Sequence, residues 1–313
     1  MPQGIITRST GSWYELRNDD GEEITCRIRG KFKLQGWKLT NPVAVGDRVV
    51  YSMEGDDALI TEILPRRNYV VRQSPRQKHN LHLLAANVDQ ALVVVTIVEP
   101  MLKQGFIDRF LLMTEPHDIP VIIVFNKSDL YGANELEVYA VLEDIYRSIG
   151  YDVMLTSAVS GDQIPELKAK LKDKTTLISG QSGVGKSSLL NVLHSGWELR
   201  TAEISDYSGK GQHTTTFAEM LHIDDQTAII DTPGIKTLSF NNLEVEDVAH
   251  NFREFFEASD ECKFSNCMHR EEPKCAVKAK VESGEISILR YQNYMTILDE
   301  IEAQNYWERH TDM

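Results

Sequence analysis

The sequence predicts three units in a row: a small β-barrel, an α/β domain on a mostly parallel sheet, and a mostly helical C-terminal unit around a metal. Short alternating apolar runs broken by turn signals fill residues 1–65. From Asn87 to about Phe240, longer apolar runs alternate with helical stretches. Residues 241–313 read as helical and hold three cysteines and a histidine close together. A chain of 313 residues has room for two or three domains. With 42% hydrophobic and 26% charged residues it is an ordinary globular composition, not a disordered chain, a fibrous repeat or a disulfide miniprotein.

The barrel rests on Gly4–Arg8, Trp13–Leu16, Glu23–Ile28, Arg48–Ser52 and Leu59–Leu64, with Asn18-Asp19-Asp20-Gly21 and Gly55-Asp56-Asp57 as turns. Residues 66–80, polar and carrying Arg66-Arg67 and Pro75, read as a linker. In the α/β unit, Ala91–Val98 and Ile119–Phe125 are strongly apolar runs, as strands buried on both faces are. Neither approaches the ~18–20 residues that span a bilayer. Leu136–Ile149 and Ile164–Leu171 have helical periodicity. The N-terminus has neither the basic start nor the apolar run of a signal peptide, so a cytoplasmic protein with no membrane association is expected. Cys26, far from the other cysteines, is expected in the barrel core.

Thr175–Ser179 reads as a strand and runs directly into Gly180-Gln181-Ser182-Gly183-Val184-Gly185-Lys186-Ser187, with Ser188 next. The spacing is G-x-x-x-x-G-K-[ST], a phosphate loop. Small residues let the backbone wrap a phosphate with N–H groups, and the helix that follows aims its positive end at the same anion. Lys186 would reach the β- and γ-phosphates and the Ser187 hydroxyl would bind Mg²⁺.

The strand Ile119–Phe125 ends in Asn126-Lys127-Ser128-Asp129, the N-K-x-D pattern for guanine. The Asp129 carboxylate would accept N1–H and the exocyclic amine, Asn126 would meet the other edge, and the Lys127 stem would pack on the ring. Thr156-Ser157-Ala158, after the strand Asp152–Leu155, would close the base pocket through Ser157 and Ala158. The strand Thr227–Ile230 leads to Asp231-Thr232-Pro233-Gly234. Asp231 would hold Mg²⁺ through water and the Gly234 N–H would meet the γ-phosphate. Upstream, Gly209-Lys210-Gly211-Gln212-His213-Thr214-Thr215-Thr216 suits a switch loop. Thr215, with Thr214 and Thr216 as alternatives, would complete the Mg²⁺ shell.

Ile235 follows Gly234, where many GTPases carry a water-orienting glutamine. An aliphatic side chain cannot orient water, so slow intrinsic hydrolysis is expected. His213 is the candidate to act instead, or only to brace the loop.

The guanine motif precedes the phosphate loop, the reverse of the usual order, so the domain is circularly permuted. Every one of these loops lies at the carboxyl ends of sheet strands, which lets the site survive permutation. The Asp-Thr-Pro-Gly turn then leads almost directly into the C-terminal unit, which nucleotide state could reposition.

In motif order, preceding barrel and following Cys/His unit, the chain resembles the RsgA (YjeQ/YloQ) family of bacterial small-ribosomal-subunit-dependent GTPases over nearly its whole length. The resemblance implies a GTP hydrolase that binds GTP and GDP, docks on the small ribosomal subunit and its rRNA, is stimulated by it, and assists its late maturation. The implied architecture is an OB-fold barrel at 1–70, a circularly permuted P-loop GTPase domain at 71–240, and a zinc-binding, mostly helical domain at 241–313. Two alternatives stay open: a nucleotide-switched RNA-binding scaffold, and a regulatory GTPase with no ribosomal role. No heptad or dimer stripe is visible, so a monomer is expected.

Cys262-x₄-Cys267-x-His269-x₅-Cys275 supplies a complete Cys₃His set for one Zn²⁺, closed and therefore structural. The spacing differs from the common finger but matches the family's pattern.

The net charge of −14, from 33 Lys+Arg against 47 Asp+Glu, argues at first against RNA. The charge is segregated, however. Residues 27–48 carry +5 and residues 64–80 another +5, leaving −24 on the remaining 274. Arg27, Arg29, Lys31, Lys33 and Lys38, with Trp37 among them, are therefore the candidate RNA contacts.

Overall fold

The structure, a computed structural model, describes residues 1–10, 13–28, 41–55, 57–73, 81–103, 105–194, 218–232 and 243–310. Five strands close the N-terminal barrel: β1 (Gln3–Ser9), β2 (Tyr14–Asn18), β3 (Glu23–Ile28), β4 (Arg48–Glu54) and β5 (Asp57–Ile63). Their order is β1-β2-β3-β5-β4 with β4 returning to β1, and only the β3–β5 pair is parallel. Alternate residues point inward, which is why Ile6, Tyr14, Leu16, Cys26, Val49, Tyr51, Ala58 and Ile60 form one core. Cys26 is buried there, and burial pushes its thiol up to about 12.

The segment expected as a linker is partly a hairpin. β6 (Tyr69–Gln73) pairs antiparallel with β7 (Leu81–Ala86) in a sheet of its own. The apolar content of Tyr69-Val70-Val71 explains it: Val70 and Val71 are buried, and the flanking arginines hide that in the composition.

The α/β unit then runs β8 (Gln90–Val95), α1 (Phe106–Thr114), β9 (Val121–Phe125), α2 (Ala133–Ser148), β10 (Asp152–Leu155), α3 (Ile164–Leu171), β11 (Thr175–Gly180), α4 (Lys186–Leu193), β12 (Glu219–His222) and β13 (Ala228–Asp231). The sheet order is β10-β9-β8-β11-β13-β12, parallel except for antiparallel β12. Alternation along β8 feeds both faces. Leu92 and Val94 meet α3 and α4, whereas Ala91, Val93 and Val95 meet α1, α2 and the C-terminal helices. Each fully buried side chain such as Leu189 or Leu190 stabilises the fold by about 1.5–3 kcal/mol. The two sheets are continuous, since β12 also pairs with β1 at Arg8–Glu219.

The C-terminal unit comprises α5 (Val245–His250), α6 (Arg253–Ser259), α7 (Ala276–Ser283) and α8 (Ile288–His310). Phe252, Phe255, Tyr294, Ile297 and Leu298 share one continuous core with α1 and the sheet. No helix among the described residues is long and apolar enough to cross a membrane.

Candidate functional site

All five parallel strands end at one edge, and the loops that leave them there form the candidate nucleotide site. β11 is central, flanked by β8 and β13. Its last residue, Gly180, lies so close to β8 that a Cβ would stand 2.3 Å from the Val94 carbonyl oxygen. Lys186 opens α4 and folds back, its Nζ donating to the carbonyls of Gly180 at 2.8 Å and Gln181 at 3.0 Å. Burial depresses its ammonium below the ordinary lysine value, and the Asp231 carboxylate opposes that shift. Ser187 and Ser188 follow in the first turn of α4, half-buried.

Asn126 ties the base motif to the phosphate loop. It is buried, its Nδ2 donates to the Val184 carbonyl at 2.9 Å, and its Oδ1 accepts from the Thr156 hydroxyl at 3.3 Å. Gly185 has φ +92°, and a Cβ there would stand 2.3 Å from Asn126 Nδ2. Both the conformation and the space demand glycine. Ser182 and Gly183 are exposed on the loop, while Gln181 and Val184 are buried.

The carboxylate of Asp129 is exposed at the site and accepts from the Ser157 hydroxyl at 2.5 Å. Ser157 in turn accepts from the backbone N–H groups of Val159 and Ser160 at 3.1 and 3.0 Å, which fixes the closing loop that also carries Ala158. Ser128 joins the same loop by donating to Asp162 at 3.1 Å. Lys127 adopts φ +67° and its Nζ reaches the Glu99 carbonyl at 2.5 Å. That last contact brings in the loop after β8, which carries no motif and was not singled out in the sequence.

Asp231 ends β13 opposite Glu219 of β12, so the chain entering β12 does so at the site edge. The two residues expected to serve Mg²⁺, with a carboxylate at Asp231 and a hydroxyl at Ser187, carry the oxygen donors that ion takes. His213, Thr214, Thr215, Thr216 and Gly234 lie outside the described residues.

The second site is the Cys/His cluster. The ligating atoms of Cys262, Cys267, His269 and Cys275 all lie within 4.8 Å of one another. His269 Nδ1 is 3.8 Å from the Cys262 sulfur and 3.4 Å from that of Cys275. Zinc bonds of about 2.3 Å to sulfur and about 2.0 Å to nitrogen put tetrahedral donors roughly 3.5–3.8 Å apart, so the set fits Zn²⁺. The support is built in. Cys275 caps α7, its sulfur accepting from Lys278 N–H at 3.5 Å, and Ala276 N–H donates to Cys262 at 3.3 Å. Glu272 accepts from the N–H groups of Met268 and Arg270, each at 2.8 Å. Tyr291 donates to the His269 carbonyl at 2.7 Å.

The basic windows divide. Arg66 is not a free cation: it forms a bidentate pair with fully buried Asp47, 2.7 Å to each oxygen. Arg67 bonds Asp89 at 2.8 Å and Arg48 bonds Asp19 at 2.9 Å. The local charge counts therefore overstate what these windows offer to RNA. Arg27 is exposed on β3, 3.6 Å from Glu54. Arg29, Lys31, Lys33, Trp37 and Lys38 lie outside the described residues.

A family model described as RsgA GTPase matches residues 63–241, and one described as RsgA N-terminal domain matches residues 3–60. The small ribosomal subunit biogenesis GTPase RsgA of Bacteroides fragilis is 46% identical over 306 residues, 97% of this chain and 98% of that protein. Its counterpart in Christiangramia forsetii is 44% identical over 308 residues, covering 97% and 98%. The crystal structure of YjeQ from Thermotoga maritima aligns with a TM-score of 0.76 at 37% identity, covering 96% of this chain and 98% of that one. That of YloQ, described as a circularly permuted GTPase, aligns with 0.73 at 33% identity, covering 97% and 96%.

Proposed function

This chain belongs to the RsgA GTPase family, and on that footing we propose that it is a GTP hydrolase that binds the small ribosomal subunit, is stimulated by it and assists its late maturation. The observation that carries the nucleotide half is Asn126, whose carboxamide joins the base-reading loop to the phosphate loop at 2.9 Å. Two motifs that are separate in sequence thereby form one pocket.

In that pocket Asp129 and Asn126 read guanine, Lys127 packs on it, and Ser157 and Ala158 close it. The backbone of Gly180–Gly185 and the Lys186 ammonium hold the phosphates. Lys186 exchanges its carbonyl partners for phosphate oxygens when nucleotide binds. Ser187, Asp231 and Thr215 would hold Mg²⁺, which would neutralise charge on the β- and γ-phosphates. Gly234 N–H meets the γ-phosphate, and His213 positions the water that hydrolyses GTP to GDP and phosphate. Cys262, Cys267, His269 and Cys275 would hold a structural zinc, since four protein ligands leave no open position. Arg27, Arg29, Lys31, Lys33, Trp37 and Lys38 contact rRNA from the barrel. The domains divide at about residues 70 and 240, and the protein works as a cytoplasmic monomer. The deciding experiment is GTP turnover with and without purified small subunits. Strong stimulation is expected; an unchanged rate favours a GTPase with another partner.

A further inference from the structure

Tyr131 stands two residues beyond the carboxylate that reads the base, at a point where the loop after β8 meets the base motif. Its hydroxyl accepts from the Ile97 backbone N–H at 2.9 Å. The same oxygen lies 3.1 Å from the Asn126 carbonyl and 3.4 Å from Thr96 Oγ1. The phenol has one proton to give, and the shorter contact, to Asn126, takes it. Thr96 sends its own proton to the Val98 carbonyl at 2.7 Å. The Asn126 backbone is thus held on both sides of its Cα, its N–H by the Val95 carbonyl at 2.8 Å and its carbonyl by Tyr131. From Asn126 the chain of contacts continues through Nδ2 to Val184 in the phosphate loop. Burial raises the Tyr131 phenol above its ordinary value, further from neutral pH.

We propose that Tyr131 is a positioning residue for purine recognition: its hydroxyl fixes the Asn126 peptide, and with it the carboxamide that spans the base pocket and the phosphate loop. The proposal rests on the reading of Asn126 and Asp129 as the base-binding pair. It separates two supports that the pocket keeps distinct. Tyr131 holds the Asn126 side of the base, the N7/O6 edge that guanine and hypoxanthine share. Ser157 holds the Asp129 side at 2.5 Å, the edge whose exocyclic amine hypoxanthine lacks.

The test measures dissociation constants for GDP and IDP on the full chain, comparing the unaltered protein with Tyr131→Phe, Ser157→Ala and Asp129→Asn. Tyr131→Phe keeps the ring and removes one hydroxyl, stranding the Ile97 N–H and the Asn126 carbonyl. It should weaken GDP and IDP alike by about five- to tenfold, leaving their ratio unchanged. Ser157→Ala should weaken GDP more than IDP. A plain packing role for Tyr131 predicts a lower thermal midpoint with unaltered nucleotide affinity. Binding stoichiometry from the same titrations counts only folded sites, so partial unfolding cannot mimic weaker binding. Unchanged affinities in Tyr131→Phe, or a loss confined to GDP, overturn the proposal. Asp129→Asn is the separate check on the pocket. If it does not move preference from GDP towards xanthosine diphosphate, the base reading itself fails, whatever Tyr131 does.

Discussion

Arg290 and Asp108 form an ion pair that is almost wholly out of water, with Arg290 Nη1 2.6 Å from Asp108 Oδ1 and the two side chains 2% and 0% exposed. The pair joins α8 of the C-terminal unit to α1 of the GTPase unit. Around it, Glu254 takes Arg290 at 2.7 and 2.9 Å, while Tyr146 and Asn293 donate to Asp108 at 2.7 and 2.5 Å. Arg253 and Glu115 make a second bidentate bridge between the same two units, at 2.8 and 3.1 Å. The sequence suggested a C-terminal unit that nucleotide state could reposition. A shared core and a buried network hold it to the face formed by α1 and α2, so any such repositioning has to carry α1 and α2 with it or break these contacts.

Arg290→Ala should therefore destabilise the fold by about 3–5 kcal/mol, because it leaves Asp108 and Glu254 buried without their cation. Urea unfolding of the zinc-loaded protein measures this. Glu300→Ala, which breaks the half-exposed pair with Arg109, should cost no more than about 1 kcal/mol. Equal effects of the two would mean that the network adds nothing beyond a surface pair.

Gly185→Ala should abolish measurable nucleotide binding. At φ +92° an alanine is strained, and its Cβ would sit 2.3 Å from the Asn126 amide that organises the base motif. A loss of at least about 100-fold in GDP affinity is expected, with secondary structure intact by circular dichroism. Binding within tenfold of the unaltered protein would show that the Asn126 bridge is dispensable.

Elements with a strict pattern were legible in the sequence. The predicted β3, β10 and α3 match the observed bounds, and the phosphate loop enters its helix at Lys186 as the motif requires. Contacts that depend on tertiary approach were not. Nothing in the spacing of Glu99 and Lys127, or of Tyr131 and Ile97, announces a hydrogen bond, because both rest on a loop without a motif. Asp47 and Arg66 misled for a related reason. A charge count treats Arg66 as free, whereas its carboxylate is in the barrel wall. The buried Arg290 network reads in sequence as polar helix surface.

Acid should weaken the fold partly through His117. Burial holds its pKa below the ordinary histidine value, against a smaller opposing pull from Asp118, and the ring lies 4.3 Å from that of Tyr69. The unfolded chain then takes up a proton near pH ~6.5 that the folded protein refuses, so stability falls as pH drops below that value. His222 has the same sign, through burial and Arg17. Urea midpoints at about pH 7.5 and about pH 5.5 should differ less in His117→Gln than in the unaltered protein. An identical difference would show that His117 does not contribute.

Metal analysis should find one zinc per chain, and Cys275→Ser should lose it. Without metal, Cys262, Cys267 and His269 would be left without a cation, the last two of them buried, beside the aromatic cluster of Phe255, Tyr291 and Tyr294. Because that cluster belongs to the same core as α1, the thermal midpoint of the whole α/β body should fall with the metal. Replacement by cobalt should give the intense visible bands of a tetrahedral thiolate site. Full stability after chelation would remove the structural role.

The residue after Asp231-Thr232-Pro233-Gly234 is Ile235, which has no group to orient water. Hydrolysis then needs another polar side chain near the γ-phosphate, and the threonine segment offers the imidazole of His213, a side-chain type that can take or orient a proton. That segment feeds β12, whose first residue, Glu219, pairs with Asp231 at the edge of the candidate site. His213→Ala should therefore lower subunit-stimulated turnover by about 10²–10⁴-fold, the range of a lost general base, while GTP affinity changes little. His213→Gln, which can still orient water, should recover part of that loss. If His213 only braces the loop, affinity and turnover fall together and glutamine restores neither. Single-turnover rates and nucleotide dissociation constants, measured on the same three proteins, separate the two roles.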